Sequence, residues 1–130
     1  MEPSGIGTIL VVDDSRVMRE ELVSFLGGKG YRILEAADGE EGWRMMDETL
    51  PDILITDLIM PGKDGIELIR HAKRVHKHMK VIAISGGGAI PAHRHLGMAR
   101  RLGADYVMEK PLDWKALETT VSIYMLTYFV

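Results

Sequence analysis

The stretch TILVVDD, residues 8–14, joins five β-branched or apolar residues directly to two adjacent carboxylates. A run that is apolar on both of its faces is typical of a strand in a parallel sheet that helices cover on both sides. Asp13 and Asp14 then stand where this strand ends. Two like charges side by side at the end of a buried strand repel each other, so a nearby cation or a function must hold them there.

Strand-like runs and helix-like segments alternate along the whole chain of 130 residues, without an internal repeat. Pro51 ends the second helix-like segment, and the third is traced by Ile66, Ile69, Ala72 and Val75 at intervals of three residues. We predict strands at residues 8–12, 31–36, 52–57, 80–85 and 105–109, and helices that begin near residues 16, 39, 66, 92 and 113, the last running almost to Val130.

Short connections between alternating strands and helices imply a parallel sheet with right-handed crossovers. We therefore predict an α/β fold, namely a doubly wound (βα)5 flavodoxin-like three-layer sandwich whose five-stranded parallel sheet has the order 2-1-3-4-5. We assign residues 1–130 to one domain, with an ordered core at about residues 8–128 and an N-terminal tail at residues 1–7. The ligand site of such a fold lies outside the carboxyl ends of the strands.

Polar residues stand at that end of four predicted strands. Asp13 and Asp14 follow the first strand, Asp57 ends the third, Ser85 ends the fourth and Lys110 follows the fifth. Although they are far apart in sequence, the fold gathers them at one edge of the sheet. The second strand ends in EAAD and offers nothing comparable, as expected for a strand away from the centre.

These residue types together suit phosphoryl chemistry. Converging carboxylates raise one another's pKa, and Mg²⁺ resolves the conflict because it binds carboxylates, a backbone carbonyl and water. The Lys110 ammonium and the Ser85 hydroxyl can contact phosphoryl oxygens, while Gly86 leaves space for an incoming group. A carboxylate can be the nucleophile and form an aspartyl-phosphate. We select Asp57, which stands alone on the middle strand between the acidic pair and the serine–lysine side.

The motifs closely resemble those of the receiver domain of two-component response regulators, the CheY-like family. The matching stretches are VVDDS at 11–15, DLIMPGKDG at 57–65, IS at 84–85 and EKP at 109–111, and the resemblance covers about residues 8–128. It implies that Asp57 accepts a phosphoryl group from a sensor histidine kinase or a phosphotransfer protein. It also implies a cytoplasmic signalling protein that catalyses only its own phosphorylation and slow dephosphorylation, and so is not an enzyme in the usual sense.

The same resemblance assigns the metal ligands. It implies Mg²⁺ (or Mn²⁺) as the cofactor, held directly by Asp14 and partly through water by Asp13. Asp57 and the backbone carbonyl of Ile59 complete the protein ligands that it implies.

The resemblance also assigns the residues around the phosphoryl group. It implies that Lys110 contacts this group, that Ser85 beside Gly86 turns toward it on activation, and that the peptide bond before Pro111 is cis. One position departs from the family pattern, because Val107 stands where an aromatic switch residue is usual. Tyr106 is one position earlier and is expected to face the other side of its strand, so the usual aromatic relay is in doubt. The loop GGGAIPAHRH at 86–95 is also longer than the commonest form.

The last helix carries more apolar residues than one buried face requires. Ile123, Leu126, Phe129 and Val130 extend the apolar surface around it, which suggests an unknown output partner, a fused output domain or a homodimer contact through this helix. In the family, the surface formed by helix 4, strand 5 and helix 5 often carries such contacts. We expect phosphorylation to switch this surface.

Composition narrows the partners. A formal charge of −3 gives no reason to expect direct binding to nucleic acid or to a membrane surface. The absence of cysteine excludes disulfides and thiol chemistry. No apolar run approaches the roughly 20 residues that a membrane helix needs. The histidines at 71, 76, 78, 93 and 95 stand among lysines and arginines, and we interpret them as part of a solvated basic face rather than a metal site.

Two other functions remain open at this point. A pseudo-receiver would bind partners without being phosphorylated. A Mg²⁺-dependent phosphatase with an aspartate nucleophile would usually carry a second aspartate two residues later, where this chain has Ile59, and a lid domain for which the chain has no room.

Overall fold

The computed structural model of the protein describes residues 7–60, 64–86 and 92–126, and the side chains of residues 92–96 are not part of that description. Residues 1–6 of the predicted tail, residues 61–63, residues 87–91 of the loop predicted at 86–95 and residues 127–130 of the predicted last helix lie outside it. Strands are β1 (Thr8–Val12), β2 (Arg32–Ala36), β3 (Ile53–Asp57), β4 (Lys80–Ser85) and β5 (Tyr106–Glu109), and helices are α1 (Arg16–Gly27), α2 (Gly39–Thr49), α3 (Gly65–Val75), α4 (Ala92–Arg101) and α5 (Trp114–Leu126).

The strands form a single five-stranded sheet with the order β2-β1-β3-β4-β5, and every pairing is parallel. The predicted fold and strand order are therefore confirmed. Val12 pairs with Thr56, and Asp57 pairs with Ile84, so the ends of the three central strands are level with one another.

Four helices begin at a side-chain oxygen that accepts a hydrogen bond from the first turn, which is how orphan N–H groups at a helix start are satisfied. Ser15, rather than Asp14, caps α1 by accepting from the N–H of Met18 at 3.3 Å. Because Ser15 takes this role, Asp14 is not used as a cap. The other caps are Asp38, Asp64 and Asp113.

The core is divided into two halves by the sheet. Alternate residues of the central strands pack either against α2, α3 and α4 or against α1 and α5. Leu10, Leu54 and Val81 belong to the first half, and Ile55 and Ile82 to the second; all are buried. This two-sided burial explains why the strands are apolar on both faces.

One predicted helix face is only half right. Ile69 and Ala72 are fully buried on α3, but Val75 is 53% exposed. Positions 66 and 75 are about two and a half turns apart, so a spacing of three carries the pattern from one side of the helix to the other. The buried face instead includes Leu68 and His71.

The interpretation of every histidine as part of a solvated face is therefore wrong for His71, which is only 7% exposed. His76 forms the C-terminal cap of α3 and is largely covered as well. Both side chains turn toward α2, where each Nε2 is hydrogen-bonded to Asp47 Oδ1.

The helix α5 buries Leu117, Val121 and Met125 against the sheet. Its Ile123 and Leu126 side chains are 54% and 61% exposed, so the predicted excess of apolar surface is present on the described part of this helix. Among the described residues, no helix combines the length and the apolar character needed to cross a membrane.

Gly65, the first residue of α3, allows that helix to start directly against β3. A Cβ atom built on Gly65 would overlap the backbone oxygen of Asp57 and would lie 2.8 Å from the Cα of Leu58. The obstruction is backbone and cannot move aside as a flexible side chain could. Only glycine therefore fits between α3 and the end of β3.

We expect Gly65→Ala to lower the free energy of unfolding by roughly 2–3 kcal/mol, because overpacking against backbone must displace α3 or β3. Urea denaturation followed by circular dichroism measures the loss. Gly97→Ala on α4 is the matched control, since the nearest described atom to its Cβ is Arg101 Nη1 at 3.8 Å. That variant should be neutral or slightly more stable, and equal losses in both variants would contradict the packing argument.

Candidate functional site

The carboxyl ends of β1, β3, β4 and β5 bring the predicted site residues to one edge of the sheet. The backbone N–H of Asp13 is anchored to the Ala36 carbonyl at 3.2 Å, and that of Lys110 to the Ser85 carbonyl at 2.9 Å. Strand pairing, rather than any local motif, therefore sets the separations in the site.

Three carboxylates converge at this edge. Asp13, Asp14 and Asp57 each offer an oxygen, and the three oxygens lie within 4.8 Å of one another. Asp13 and Asp57 are 1% and 9% exposed, whereas Asp14 is exposed to solvent. The cluster is therefore buried on one side and open on the other.

Lys110 supplies the positive charge that faces this cluster. Its Nζ donates to Asp57 Oδ2 at 3.2 Å and lies 3.4 Å from Asp13 Oδ2. Burial alone would lower the pKa of Lys110, but the charges of Asp57 and Asp13 and their hydrogen bonds raise it above its ordinary value. Lys110 is consequently charged at neutral pH.

Asp13 is held in an unfavourable place for a carboxylate. Burial raises its pKa and the Asp57 charge adds to the rise, while the Ser15 N–H at 2.8 Å and Lys110 oppose it. The net pKa lies above the ordinary value. Asp13 Oδ2 is buried and has no well-aligned hydrogen-bond donor among the described residues.

The segment after β3 folds back over Asp57. The N–H of Ile59 donates to Asp57 Oδ1 at 3.3 Å, and the N–H of Leu58 donates to the Ile84 carbonyl at 3.0 Å. The Ile59 side chain is 52% exposed beside the site. Ile59 can therefore contribute only backbone groups and an apolar side chain to the chemistry.

Ser85 lies on the face of the sheet that packs against α2, α3 and α4. It is 1% exposed and pairs with Glu109 of β5. Val107 packs on this same face, whereas Tyr106 packs in the opposite half of the core, as predicted from strand alternation. Tyr106 cannot replace an aromatic residue at position 107 in this conformation, because the sheet lies between its ring and Ser85.

Gly86 also leaves space for the side chain of Lys110. A Cβ atom on Gly86 would lie 2.5 Å from Cβ and 2.8 Å from Cγ of Lys110, so the missing side chain makes room for the lysine stem. The peptide bond between Lys110 and Pro111, for which a cis form was expected, is cis.

Two residues near the site were not identified from the sequence. Arg19 donates from Nη1 to the Asp13 carbonyl at 2.8 Å and pairs with Glu35 at 3.2 Å, so it links the end of β1 to α1 and β2. Its position one turn into α1 is the only signal, and many exposed arginines share it. Gly65 ends the matching stretch at 57–65 and has no role of its own in the sequence analysis, although its close approach to Asp57 fixes the start of α3.

The donor set fits a hard divalent cation. Carboxylate and carbonyl oxygens are the ligands that Mg²⁺ and Mn²⁺ prefer. Asp13 Oδ2 is a buried anion without a well-aligned donor, and Asp14 is open to solvent, so a cation can be reached by both protein oxygens and water. Asp13, Asp14, Asp57 and the Ile59 carbonyl are the residues that would hold it.

Comparison with known proteins decides the family. Residues 9–122 match the profile of the response regulator receiver domain. The chain belongs to the response regulator receiver domain family. Such domains act as phosphoacceptors in two-component signalling, and the arrangement of acidic residues and lysine in this receiver domain is consistent with that role.

The share of a relative's length that matches this receiver domain differs between relatives. It is 37% identical over 106 residues to the response regulator GtcR of Aneurinibacillus migulanus, covering 82% of this chain and 42% of the relative. It is 35% identical over 120 residues to the sensor kinase CckA of Brucella abortus, covering 91% of this chain but 12% of that protein. The chain thus spans less than half the length of these relatives.

A solved receiver domain protein from Clostridium thermocellum has nearly the same fold. The TM-score is 0.85 at 28% sequence identity, and the match covers 93% of this chain and 95% of the other. The fold of this receiver domain is thus shared along nearly the full length of a separately crystallised relative.

We expect Asp13→Asn to stabilise the protein when divalent cations are absent. An acid whose pKa is raised on folding is destabilised in its ionised form by the native structure, so removal of its charge favours folding at neutral pH. The asparagine can still accept from the Ser15 N–H. The rise in unfolding temperature should be a few degrees, roughly what 1 kcal/mol gives in a domain of this size.

Unfolding temperatures measured first with chelator and then with excess Mg²⁺ test this prediction, because they separate the effect of the charge from the effect of the cation. The wild type should gain stability from Mg²⁺, and Asp13→Asn should gain much less. Asp38→Asn removes a carboxylate at the start of α2, where asparagine caps equally well, and should behave as wild type. A fall in unfolding temperature for Asp13→Asn in chelator would overturn the prediction.

Proposed function

We propose that Asp57 accepts a phosphoryl group from the phosphohistidine of a sensor histidine kinase or a phosphotransfer protein, in a Mg²⁺-dependent reaction. The observation that carries the proposal is the position of the Asp57 carboxylate between two acidic side chains and a lysine ammonium 3.2 Å away. An aspartate that only ended a strand would need neither the two acidic side chains nor the lysine beside it.

In this reaction a carboxylate oxygen of Asp57 attacks the phosphorus atom. The O–P bond forms as the N–P bond of the donor breaks, and the donor imidazole keeps that electron pair. Lys110 faces Asp57 Oδ2 and is placed to contact the oxygens of the transferred group. When bound, Mg²⁺ supplies positive charge that offsets the carboxylates and the phosphoryl oxygens.

Phosphorylation changes the balance of contacts around Lys110. Before the reaction its ammonium pairs with Asp57, and afterwards it has phosphoryl oxygens as stronger partners. We propose that Ser85, beside Gly86, turns toward the same group and that this movement is passed to the surface of α4, β5 and α5. Val107 packs in the same half of the core as Ser85, so β5 lies next to the change.

Phosphorylation by a small-molecule phosphodonor with Mg²⁺ tests the assignment of Asp57. Intact-protein mass spectrometry should show the mass of one added phosphoryl group, and chelator or Asp57→Asn should abolish it. Asp38→Asn, which also replaces one aspartate with asparagine but lies at the start of α2, should be phosphorylated as wild type.

Other outcomes separate the alternative functions. A folded protein that gains no mass from the phosphodonor or from a cognate kinase is a pseudo-receiver that binds partners without phosphorylation. Steady release of phosphate with many turnovers would instead identify a Mg²⁺-dependent phosphatase with Asp57 as nucleophile. Either outcome would replace the proposal.

The exposed apolar residues of α5 support a contact surface for a homodimer. Ile123 and Leu126 are more than half exposed, and both lie on the helix that borders β5 in the predicted output region. An output partner or a fused output domain would use the same surface. The chain spans less than half of the response regulator GtcR and of the sensor kinase CckA, so the proposal names no particular output.

We expect a phosphoryl mimic such as beryllofluoride to shift the protein from monomer to dimer in sedimentation velocity runs. Ile123→Asp with Leu126→Asp should prevent the shift, because charges at a buried contact are costly. Val17→Asp is the control, since Val17 is 66% exposed but lies on α1. A monomer at all concentrations, with and without the mimic, would exclude the dimer and leave the output partner.

A further inference from the structure

A second cluster of potential metal ligands lies between α2 and α3. Asp47, in the last turn of α2, accepts hydrogen bonds at Oδ1 from Nε2 of His71 and from Nε2 of His76, both at 2.7 Å. The three ligand atoms lie within 4.8 Å of one another. None of these residues belongs to the phosphoacceptor site.

The two imidazoles are held in place by their surroundings. The Trp43 ring stacks on His71 with centroids 3.9 Å apart, and His76 meets His71 edge-on at 5.5 Å. The His71 and His76 side chains are 8% and 15% exposed, whereas that of Asp47 is 44% exposed. The cluster is therefore preorganised on the protein side and open to solvent at the carboxylate.

The hydrogen bonds inside the cluster converge on one carboxylate oxygen. Two donors share one carboxylate oxygen, and Nδ1 of His71 is buried without a hydrogen-bond partner among the described residues. A cation bound by both Nε2 atoms would replace these two hydrogen bonds, and each ring would then carry its proton on Nδ1. For His71 that Nδ1–H has no acceptor among the described residues, which lowers the affinity that we expect. The cation would be bound by Asp47, His71 and His76 together, whereas without it each histidine forms its own hydrogen bond to Asp47.

The ligand types select the class of metal. Two imidazole nitrogens and one carboxylate oxygen are a zinc donor set, and imidazole also suits Ni²⁺ and Cu²⁺ but not Mg²⁺. Ligand atoms around a tetrahedral zinc lie about 3.3 Å apart. Each Nε2 is 2.7 Å from Asp47 Oδ1 and would have to move away from it by only about 0.6 Å. The Asp47 side chain is 44% exposed and has the most room to adjust.

We propose that Asp47, His71 and His76 bind Zn²⁺, with water in the fourth position. The ion would fasten the end of α2 to the end of α3, at the edge of the sheet where the strands begin and away from Asp57. His76 also lines an adjoining surface cleft of about 270 Å³. Arg70 and Arg74 border a second, smaller cleft beside His71, and their positive charges repel a cation. Because of these charges, and because the protein supplies only three ligands, we expect weaker binding than at a four-ligand structural site.

Isothermal titration with Zn²⁺ in excess Mg²⁺ tests the proposal, because Mg²⁺ saturates the acidic site and does not compete for imidazole. One Zn²⁺ should bind, and His76→Gln and Asp47→Asn should each weaken it by at least about tenfold. His78→Gln removes one histidine just beyond the cluster and should bind as wild type, as should Asp57→Asn. His76 and Asp47 are chosen over the more buried His71, whose loss endangers folding.

Long-range proton–nitrogen NMR spectra provide a readout that does not depend on affinity. The Nε2 resonances of His71 and His76 should shift together on Zn²⁺ addition, and unfolding temperatures without zinc should confirm that the variants fold. Binding lost in Asp57→Asn but kept in His76→Gln would place zinc in the acidic site, and no binding, or equal loss in His78→Gln, would overturn the proposal. Because phosphorylation of Asp57 is measured separately, failure of one proposal is distinguishable from failure of the other.

Discussion

The site depends on one imbalance of charge. Asp13, Asp14 and Asp57 meet at the end of buried strands, and Lys110 is the cation that pairs with two of them. Backbone hydrogen bonds hold Asp13 beside β2 and Asp57 beside β4, so these carboxylates can separate only by rotation of their side chains. The sheet therefore holds three carboxylates close together, and their mutual repulsion destabilises the ionised site. A bound cation would remove this repulsion, so the same arrangement is a cation-binding site. The lysine reaches them only because Gly86 leaves space for its stem.

Much of the fold and of the site could be predicted because both follow from strand ends. Apolar runs mark buried parallel strands, and the doubly wound topology places their carboxyl ends together, so Asp13, Asp57, Ser85 and Lys110 could be grouped without knowing any distance. What could not be predicted depends on helix packing. The exposure of Val75 and the burial of His71 follow from which side of α3 meets the sheet, and Gly65 matters only because α3 starts against Asp57.

In β5 the aromatic residue stands at position 106 instead of the usual 107, and this changes which half of the core contains it. Side chains alternate across a strand, so an aromatic residue moved by one position from 107 to 106 moves to the other half of the core. Tyr106 then packs toward α1 and α5, and its phenol is near Tyr124 of α5. Ser85 and Val107 lie on the same face of the sheet, whereas Tyr106 lies on the opposite face, so a movement of Ser85 would reach Tyr106 only through the sheet. A switch driven by Ser85, as proposed above, would therefore act first in the half of the core that contains Val107 and α4.

The helix α3 physically connects the two clusters. It begins at Gly65, against the backbone of Asp57, and its C-terminal cap is His76, which contacts Asp47. A helix of this length is stiff, so anything that fixes its end against α2 also restricts how its first turn can move beside Asp57. Coupling between the clusters nevertheless requires that a ligand at one of them bind the two conformations of the other with different affinity. Gly65 has no clearance against β3, so a displacement of α3 there would have to move β3 or the loop after Asp57. The position of that first turn is therefore where any energetic link between the histidine cluster and the phosphoacceptor would act.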